Sequence, residues 1–595
     1  MILQALTEYY ETLAQSGKIS PPGWGDVKVS YALCIGDNGA PEQMISVRTP
    51  QQKGKKAVLA PQLMKLPAPV KRSSGVLANF LCDTSSYLLG ADLKGKPQRA
   101  LECFRACRAL HEKLLGGVDS PSARAVLAFF QTWQPEQAAS HPALSACLEE
   151  VLSGGNLVFR FNGAYVHEDP LVRQAWDDHY QSAEDGPQMV CLVTGKRGPV
   201  ENIHPSIKNV QGAQSSGAAL VSFNAPAFCS YGKEQNYNAP TSKYAAFAYT
   251  TALNHLLADR EHVYRMGDTT VVCWAKCGGD VYQNLIGWAF FGQESAYTLA
   301  DLQSALKNLC GGRAVELDEA RLDPDMDFFI LGLAPNAARL SVRFFLHNTF
   351  GNFLKNAQAH QQRLEIIRPA YDKFDTIPMW KLLYATVRSQ SKFEPILYKE
   401  AKPNLEKYLA PNMAAETLRA ILMNTRYPET LHNGVILRIR AERNITPSRI
   451  AVLKAYMLKK YENNLQMQPF SEVFNVNLNE SCTNQAYVLG RLFSVMEKIQ
   501  LASADWNINR TIKDSYFNSA SNTPKIIFSK LFPLSETHMK KLMRDKPGLA
   551  KTLNQEKREL LSKITQPIPL RFSPEEIDCF YIGYYHQDMK KKEEK

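Results

Sequence analysis

No apolar run in this 595-residue chain approaches the roughly 20 residues that a membrane-spanning helix requires. The longest, such as FFILGLA from Phe328, fall far short. The opening MILQALTEYYETLAQSG lacks a secretory apolar core, and the twelve cysteines are scattered. A cytoplasmic protein with free thiols and no membrane is therefore expected. No repeat of 20 to 50 residues is present, and low complexity is confined to the KKKEEK tail. The sequence also lacks a complete catalytic constellation. Cys103, Cys107 and His111 follow helical spacing, but the outer two drift about 80° apart and no fourth ligand stands near. They read as core residues, as do Cys273 and Cys277. CLVTGKRG lacks the first glycine of a phosphate loop and carries Arg197 where a hydroxyl residue would hold magnesium. Cys191 and His204 lack an orienting third group. Asp323, Asp325 and Asp327 in DPDMDFF read as a turn leading into a strand, with a metal-dependent nuclease as the alternative. No cofactor, no metal and no enzymatic activity are expected.

What is present is ordinary globular material, 45% hydrophobic and 21% charged, long enough for two or more domains. KVSYALC, NLVFRF, MVCLVT, ALVSF and TVVCWA read as short strands. PQRALECFRACRALHEKLL, with Pro97 in its first turn and Gly116 behind it, reads as a helix, as does TSKYAAFAYTTALNHLLADR. In ARLSVRFFLH, Leu340, Val342, Phe344 and Leu346 alternate with Ser341, Arg343 and Phe345, which places Arg343 on the face opposite the apolar set. Beyond Gly351 the pattern is helix after helix. Leu489, Leu492, Phe493, Met496 and Ile499 form one stripe. The expected fold is an α+β N-terminal domain of mixed short strands and helices, residues 1–350. A basic helical connecting region, 351–466, and an all-α C-terminal helical bundle, 467–595, follow.

The net charge is +11, which favours an anionic partner. Gln43 to Cys82 contains no acidic residue but holds Arg48, Lys53, Lys55, Lys56, Lys65, Lys71 and Arg72. A second concentration is Arg438, Arg440, Arg443, Arg449, Lys454, Lys459 and Lys460 around a single Glu442. Between Asn202 and Ala258 the only acid is Glu234. There Gln214, Ser215, Ser216, Asn224, Asn236 and Asn238 accompany Lys208, Lys233 and Lys243. Lysine and arginine suit phosphates, whereas amides and hydroxyls suit base edges. The competing reading is a glycine-rich connection whose polar groups cap its own turns.

The stretch CLVTGKRGPVENIHPSIKNVQGAQSSGAALVSFNAPAFCSYGKEQNYNAPTSKYAAFAYTTALNHLL resembles the signature of the large subunit of the type I-C CRISPR Cascade surveillance complex, a Csd-type family. WGDVKVSYALCIGDNG, VKRSSGVLANFLCDTSSYLLG, FFILGLAPNAARLSVRFF, TNQAYVLGRLFSVMEKIQ and FYIGYYHQDM extend the resemblance over the whole chain. It implies a non-enzymatic subunit that recognises the protospacer-adjacent motif (PAM) in target double-stranded DNA, promotes duplex opening and R-loop formation, and recruits a helicase-nuclease. Guide pairing then reads the remaining sequence. The implied partners are crRNA, the Cascade backbone subunits, the crRNA 5′-handle subunit and a small subunit translated internally from near Met457 or Met467. Residues 1–350 would face the PAM and the crRNA 5′ end, and 467–595 would resemble the small subunit. Lys28 and Asn79 match the motif-reading pair, with Gln214, Ser215, Ser216 and Asn224 as further DNA contacts. Lys53, Lys55, Lys56, Lys71, Arg72, Lys233, Arg438, Arg440 and Arg443 are the expected phosphate contacts. An RNA-binding scaffold without DNA readout is the other alternative.

Overall fold

The computed structural model describes residues 1–593 except 54–55, 71, 73–74, 94–95, 183–186, 292–298, 318–319, 371, 373–375, 389–392, 463 and 465–469. Two compact units are formed. One combines Met1–Ile207 with Ala219–His255, and the other combines Lys208–Ala218 with Leu256–Lys595.

The first unit opens with helix α1 (Ile2–Gln15) and strand β1 (Trp24–Ile35). Strands β2 (Pro41–Ser46), β3 (Thr49–Lys53), β4 (Lys56–Ala60), β5 (Gln62–Pro67) and β6 (Cys82–Asp83) follow. Then come α2 (Pro97–Leu115), α3 (Pro121–Thr132), β7 (Asn156–Phe161) and β8 (Ala164–Tyr165). The unit ends with the small hairpin β9 (Gln188–Val190) and β10 (Arg197–Pro199), then α4 (Lys243–Ala258) as far as His255. The main sheet runs β2-β1-β7-β6, with β5 on the first half of β1 and β8 on β7. β1 and β7 are parallel, so the chain between them must cross over; α2 and α3 lie in that crossover. They bury Phe104, Phe129 and Phe130 in one core with Phe80, Phe159 and Trp176 from around the sheet.

Two expected strands come out differently. MVCLVT is extended only to Val190; the chain then turns back, with the Gly195 N–H on the Cys191 carbonyl at 2.8 Å and Gly195 at φ +72°. ALVSF is no strand: pairing ends in a single bridge at Ala219, and Val221, Ser222 and Phe223 line a surface depression. The Cys103, Cys107 and His111 set is core. All three are buried, and Nδ1 of His111 lies 2.8 Å from the Cys107 carbonyl.

The second unit is built on an antiparallel sheet. Its order is β11 (Tyr264–Met266), β12 (Thr269–Ala275), β15 (Asp327–Asn336), β16 (Arg339–Thr349), with the separate pair β13 (Val315–Leu317) and β14 (Ala320–Leu322) preceding β15 in the chain. Leu340, Phe344 and Leu346 are buried as their alternation predicts, but Val342 is exposed. A bulge opposite Gly332 and Leu333 resets the register there, and Nη2 of Arg343 meets Asp268 at 2.6 Å.

Helices fill the remainder. They include α5 (Phe350–Leu364), α6 (Glu429–Glu442), α7 (Pro447–Lys460), α8 (Gln485–Ser503), α9 (Ile512–Asn522), α10 (Pro524–Asp545), α11 (Pro547–Ser562) and α12 (Pro574–Glu593). The predicted stripe on α8 is buried, and so are Arg491, Glu497 and Lys498 on its other faces. The helix is central because α9, α10, α11 and α12 all pack on it. Its contact with α12 is set by two glycines. A Cβ at Gly490 would sit 2.1 Å from the Phe580 carbonyl oxygen, and one at Gly583 would sit 2.2 Å from that of Tyr487. Only glycine at both positions lets the backbones meet. The approach then brings buried polar groups into register. Nε of Arg491 donates to Gln587 at 2.9 Å, and the Tyr584 hydroxyl donates to Glu497 at 2.6 Å.

Gly490→Ala is expected to destabilise the second unit by about 3 kcal/mol, the upper end of overpacking costs, because the obstacle is backbone. Thermal and urea unfolding of the full chain would show it as a lowered midpoint, and an unchanged midpoint would refute the contact.

Candidate nucleic-acid interface

The loop that carries Asn79 is organised by one buried carboxylate. Asp83, the last residue of β6, is fully buried and faces the Arg72 guanidinium, with Nη1 3.0 Å from Oδ1 and Nη2 on Oδ2. The same carboxylate accepts the backbone N–H groups of Asn79 at 2.9 Å and Thr84 at 2.8 Å. Arg72 also donates from Nε to the Leu77 carbonyl at 2.6 Å and lies 3.9 Å from the centre of the Tyr87 ring. Between Asn79 and Asp83 the chain makes a tight turn, with the Cys82 N–H on the Phe80 carbonyl at 2.8 Å. This puts Leu81 at φ +59°, a conformation that costs an L-residue about 1–2 kcal/mol. Burial of the Leu81 side chain and its N–H bond to Nε2 of His111, 3.0 Å, offset that strain. Burial holds His111 down to about pKa 4, so the ring is neutral and Nε2 is free to accept.

This frame defines what Asn79 can do. Its Oδ1 accepts the Val70 N–H at 2.9 Å, and the side chain is half-buried. Its amide donors, not its acceptor, are the part left for a ligand. Lys28 is exposed on β1, paired across from Leu63 of β5. Lys28 thus stands on the main sheet, and Asn79 in the loop that leads into β6, an outer strand of the same sheet. The carbonyl of Lys28 is fixed by Nδ2 of Asn156 at 2.9 Å.

The remaining expected contacts scatter. Gln214, Ser215 and Ser216 are exposed in a turn closed by the Gly217 N–H on the Gln214 carbonyl at 2.9 Å. That turn folds with the second unit, held by the Gln211 N–H on Oγ1 of Thr270 at 3.1 Å. Asn224 and Lys233 are exposed in the first unit. Lys53 and Lys56 pair across the β3–β4 hairpin, while Lys55 and Lys71 lie outside the described residues. Arg72 is not a free cation, because Asp83 takes its charge. Arg48 is similarly tied to Glu150.

The helical concentration also dissolves on inspection. Arg438 pairs with Glu442 at 3.7 Å, and Arg440 donates to Asn522 at 3.3 Å. Arg449 is buried against Glu442 at 2.5 Å. Lys454 is buried on the Glu365 carbonyl, with burial lowering its pKa to about 8. Lys459 meets Glu462, and Lys460 meets Glu575 at 3.3 Å. Arg443, at the end of α6, stays exposed. The sequence reading missed a different surface, on α10 and α11. Between 524 and 563 ten lysines and arginines stand against four acidic residues. Lys525, Lys530, Lys540, Lys541, Lys551 and Arg558 are exposed there. The signal was available as that count, but helical spacing was needed to see that these six face solvent.

A family of CRISPR-associated proteins, Cas_Csd1, matches residues 6–591. The chain belongs to the Cas_Csd1 family. No curated protein matches it significantly. Membership covers both units, so the Asp83 loop, the α8–α12 contact and the α10–α11 surface all lie within the matched region of this Cas_Csd1 protein.

Asp83→Asn is expected to destabilise the first unit by about 3 kcal/mol, because it leaves the partly buried Arg72 guanidinium without its counter-charge. Chemical denaturation with Arg72→Ala and the double variant would test this; additive losses would refute the coupling. His111 gives a pH signature. Its folded pKa, about 4, lies below the unfolded value of about 6.5, so the unfolded chain takes up the proton first. Its contribution to stability is intact above about pH 6.5 and is lost as pH falls toward 4. His111→Gln should flatten that part of the melting-temperature profile, and a profile of unchanged slope would refute it.

Proposed function

We propose that this Cas_Csd1 protein is the PAM-recognising large subunit of an RNA-guided type I-C interference complex, a DNA-binding and non-enzymatic component. The observation that carries this reading is the Asn79 loop. A strained, buried turn is held by one carboxylate and presents a half-buried amide just ahead of β6, in the sheet whose β1 carries an exposed lysine. Backbone strain of this kind is kept where surroundings over-determine it, and such places are commonly functional. Base readout demands that rigidity, since a donor has to arrive in a groove at a fixed place. With Oδ1 of Asn79 engaged, its Nδ2 would address acceptors on the base edges, and Lys28 would do the same. The crRNA, its 5′-handle subunit and the backbone subunits would complete the assembly, and a helicase-nuclease recruited to it would supply cleavage.

The exposed cations of α10 and α11 fit a sequence-independent grip on phosphates, such as a displaced strand needs. An internally initiated small subunit fits the layout as well. Starts at Met457, in the last turn of α7, or at Met467, outside the described residues, would both retain α8 to α12. Such a fragment would lack His432, which pairs with the buried Asp578 at 2.8 Å, and would need a partner to cover that carboxylate.

The nuclease alternative is disfavoured by the aspartates themselves. Oδ1 of Asp323 accepts the Asp325 N–H at 2.9 Å, and Asp327 is engaged by His347 at 2.8 Å. Among the described residues no three histidine, cysteine or acidic groups converge as metal ligands. The RNA-scaffold alternative loses six of its seven basic residues to internal partners, three of them to Glu442 and Glu575 and the others to Asn522, Glu462 and the Glu365 carbonyl.

Asn79→Ala in the assembled complex is expected to weaken binding to PAM-bearing duplex by about 1–3 kcal/mol while leaving PAM-free duplex unaffected. Lys540→Glu with Lys541→Glu should weaken both and reduce the salt dependence. Equal losses on both duplexes for Asn79→Ala, in binding isotherms at two salt concentrations, would overturn the readout role.

A further inference from the structure

The second unit carries a groove of about 600 Å3 that none of the surfaces described above uses. Leu257, Val263 and Leu405 give it an apolar floor, and Asp259, Arg260, Arg265, Tyr398 and Lys402 give it charged and aromatic walls. All of these residues belong to the second unit. The volume is within the range of about 300–1,000 Å3 usual for sites that take small ligands.

Local structure explains why the cations face outward. Asp259 follows the end of α4, and its Oδ1 accepts the Glu261 N–H at 2.9 Å while its Oδ2 meets Nδ1 of His262 at 2.5 Å. The chain turns around that carboxylate, which leaves Arg260 exposed. On β11 Tyr264 and Met266 are buried and Arg265, between them, is exposed on the opposite face. Tyr398 and Lys402 stand four residues apart on the helix Tyr398–Tyr408 and so share one of its faces; Lys402 is exposed. Three cations therefore face one carboxylate, and that carboxylate is already engaged from within the chain. Arg260 and Arg265 take no carboxylate of their own among the described residues, unlike the arginines around Glu442.

Tyr398 is the second unusual element. Its ring centre lies 6.0 Å from that of Trp380 at 63°, and its hydroxyl donates to the Arg265 carbonyl at 3.4 Å. These contacts orient the ring, yet the residue stays 40% exposed. The combination narrows the ligand. Single strands of nucleic acid are gripped where an aromatic ring takes the face of a base and nearby cations take the phosphates. An acidic peptide would satisfy the cations and leave the ring bare. A duplex keeps its base faces stacked on one another, so only an unpaired base can reach the ring.

We propose that this groove holds one unpaired nucleotide of a single strand, its base stacked on Tyr398 and its flanking phosphates on Arg260, Arg265 and Lys402. The proposal rests on the nucleic-acid-binding reading above and uses residues of neither the Asn79 loop nor the α10–α11 surface. RNA and DNA share the chemistry that the groove recognises, and the experiment separates them.

The full chain would be titrated by fluorescence anisotropy with strands of about 12 nucleotides, within the span of such sites, made of thymidine, of uridine or of abasic backbone. Tyr398→Ala is expected to weaken the base-bearing strands on the order of tenfold, the scale of stacking one base, and to leave the abasic strand unchanged. Tyr398→Phe should keep the tighter binding. Arg260→Ala with Arg265→Ala should weaken all three strands and lower their salt dependence. Repeating the series in a Lys540→Glu, Lys541→Glu background removes the α10–α11 surface as a source of binding, and circular dichroism would check that each variant folds. A 5-iodouracil within the strand should photocrosslink to Tyr398. A larger Tyr398→Ala loss on uridine places RNA in the groove and a larger loss on thymidine places DNA there; both support the proposal. Unchanged binding in Tyr398→Ala and in the double arginine variant, or equal losses on base-bearing and abasic strands in Tyr398→Ala, overturns it. Loss of a partner subunit from the assembled complex in Tyr398→Ala, with strand binding unaltered, assigns the groove to protein and also overturns it. Failure of every strand to bind the unmodified chain overturns the nucleic-acid reading itself.

Discussion

The Asp83 carboxylate is the constraint on which the candidate interface depends. It has four clients, the two Nη groups of Arg72 and the backbone N–H groups of Asn79 and Thr84, and it has no access to water. A buried carboxylate is costly unless it is fully paired. Here the pairing pulls together three points of a loop that contains Leu81 at φ +59°. Without the carboxylate the turn would relax and the Asn79 amide would lose its direction. The loop thus trades stability for position, as sites that must hold a donor in place commonly do.

That arrangement shows why part of the interface was legible in the sequence and part was not. The strands KVSYALC and NLVFRF, the helix after Pro97 and the turn before Phe328 were all readable, because each follows from local alternation or capping. Local charge was misleading. The acid-free run from Gln43 to Cys82 owes Arg72 to Asp83, one residue beyond its end, and Arg48 to Glu150. The run from Arg438 to Lys460 meets carboxylates as distant as Glu575. Counting acids within a window cannot see partners a hundred residues away. The surface on α10 and α11 was missed for the complementary reason. Its acids are interspersed with its bases, and only the three-dimensional faces show Lys540, Lys541 and Arg558 turned outward.

Helical organisation followed the same rule. The stripe Leu489 to Ile499 correctly identified a helix of a bundle but showed only one of its buried faces. It is in fact surrounded, and the information sat in residues a hydropathy pattern treats as neutral. Gly490 and Gly583 mean nothing separately. Each becomes necessary only when the other helix is present, because each is the place where the partner's carbonyl sits. The polar residues Arg491, Glu497 and Lys498 would be errors on a surface-derived stripe, yet Lys498 donates to the Gln587 carbonyl at 2.9 Å and the others are similarly answered from α12.

On the proposed function these features divide recognition into two physical kinds. A cation held by a carboxylate contributes little to attracting DNA, but it can fix a loop; a free lysine attracts any phosphate and fixes nothing. The first unit spends Arg48 and Arg72 on its own carboxylates and leaves amides and a lone Lys28 where bases would be read. The second unit keeps six exposed cations on two adjacent helices. A protein that must sample many duplexes before finding a short motif benefits from that separation. Affinity common to all sequences and discrimination between them then reside on different residues, and either can change without disturbing the other.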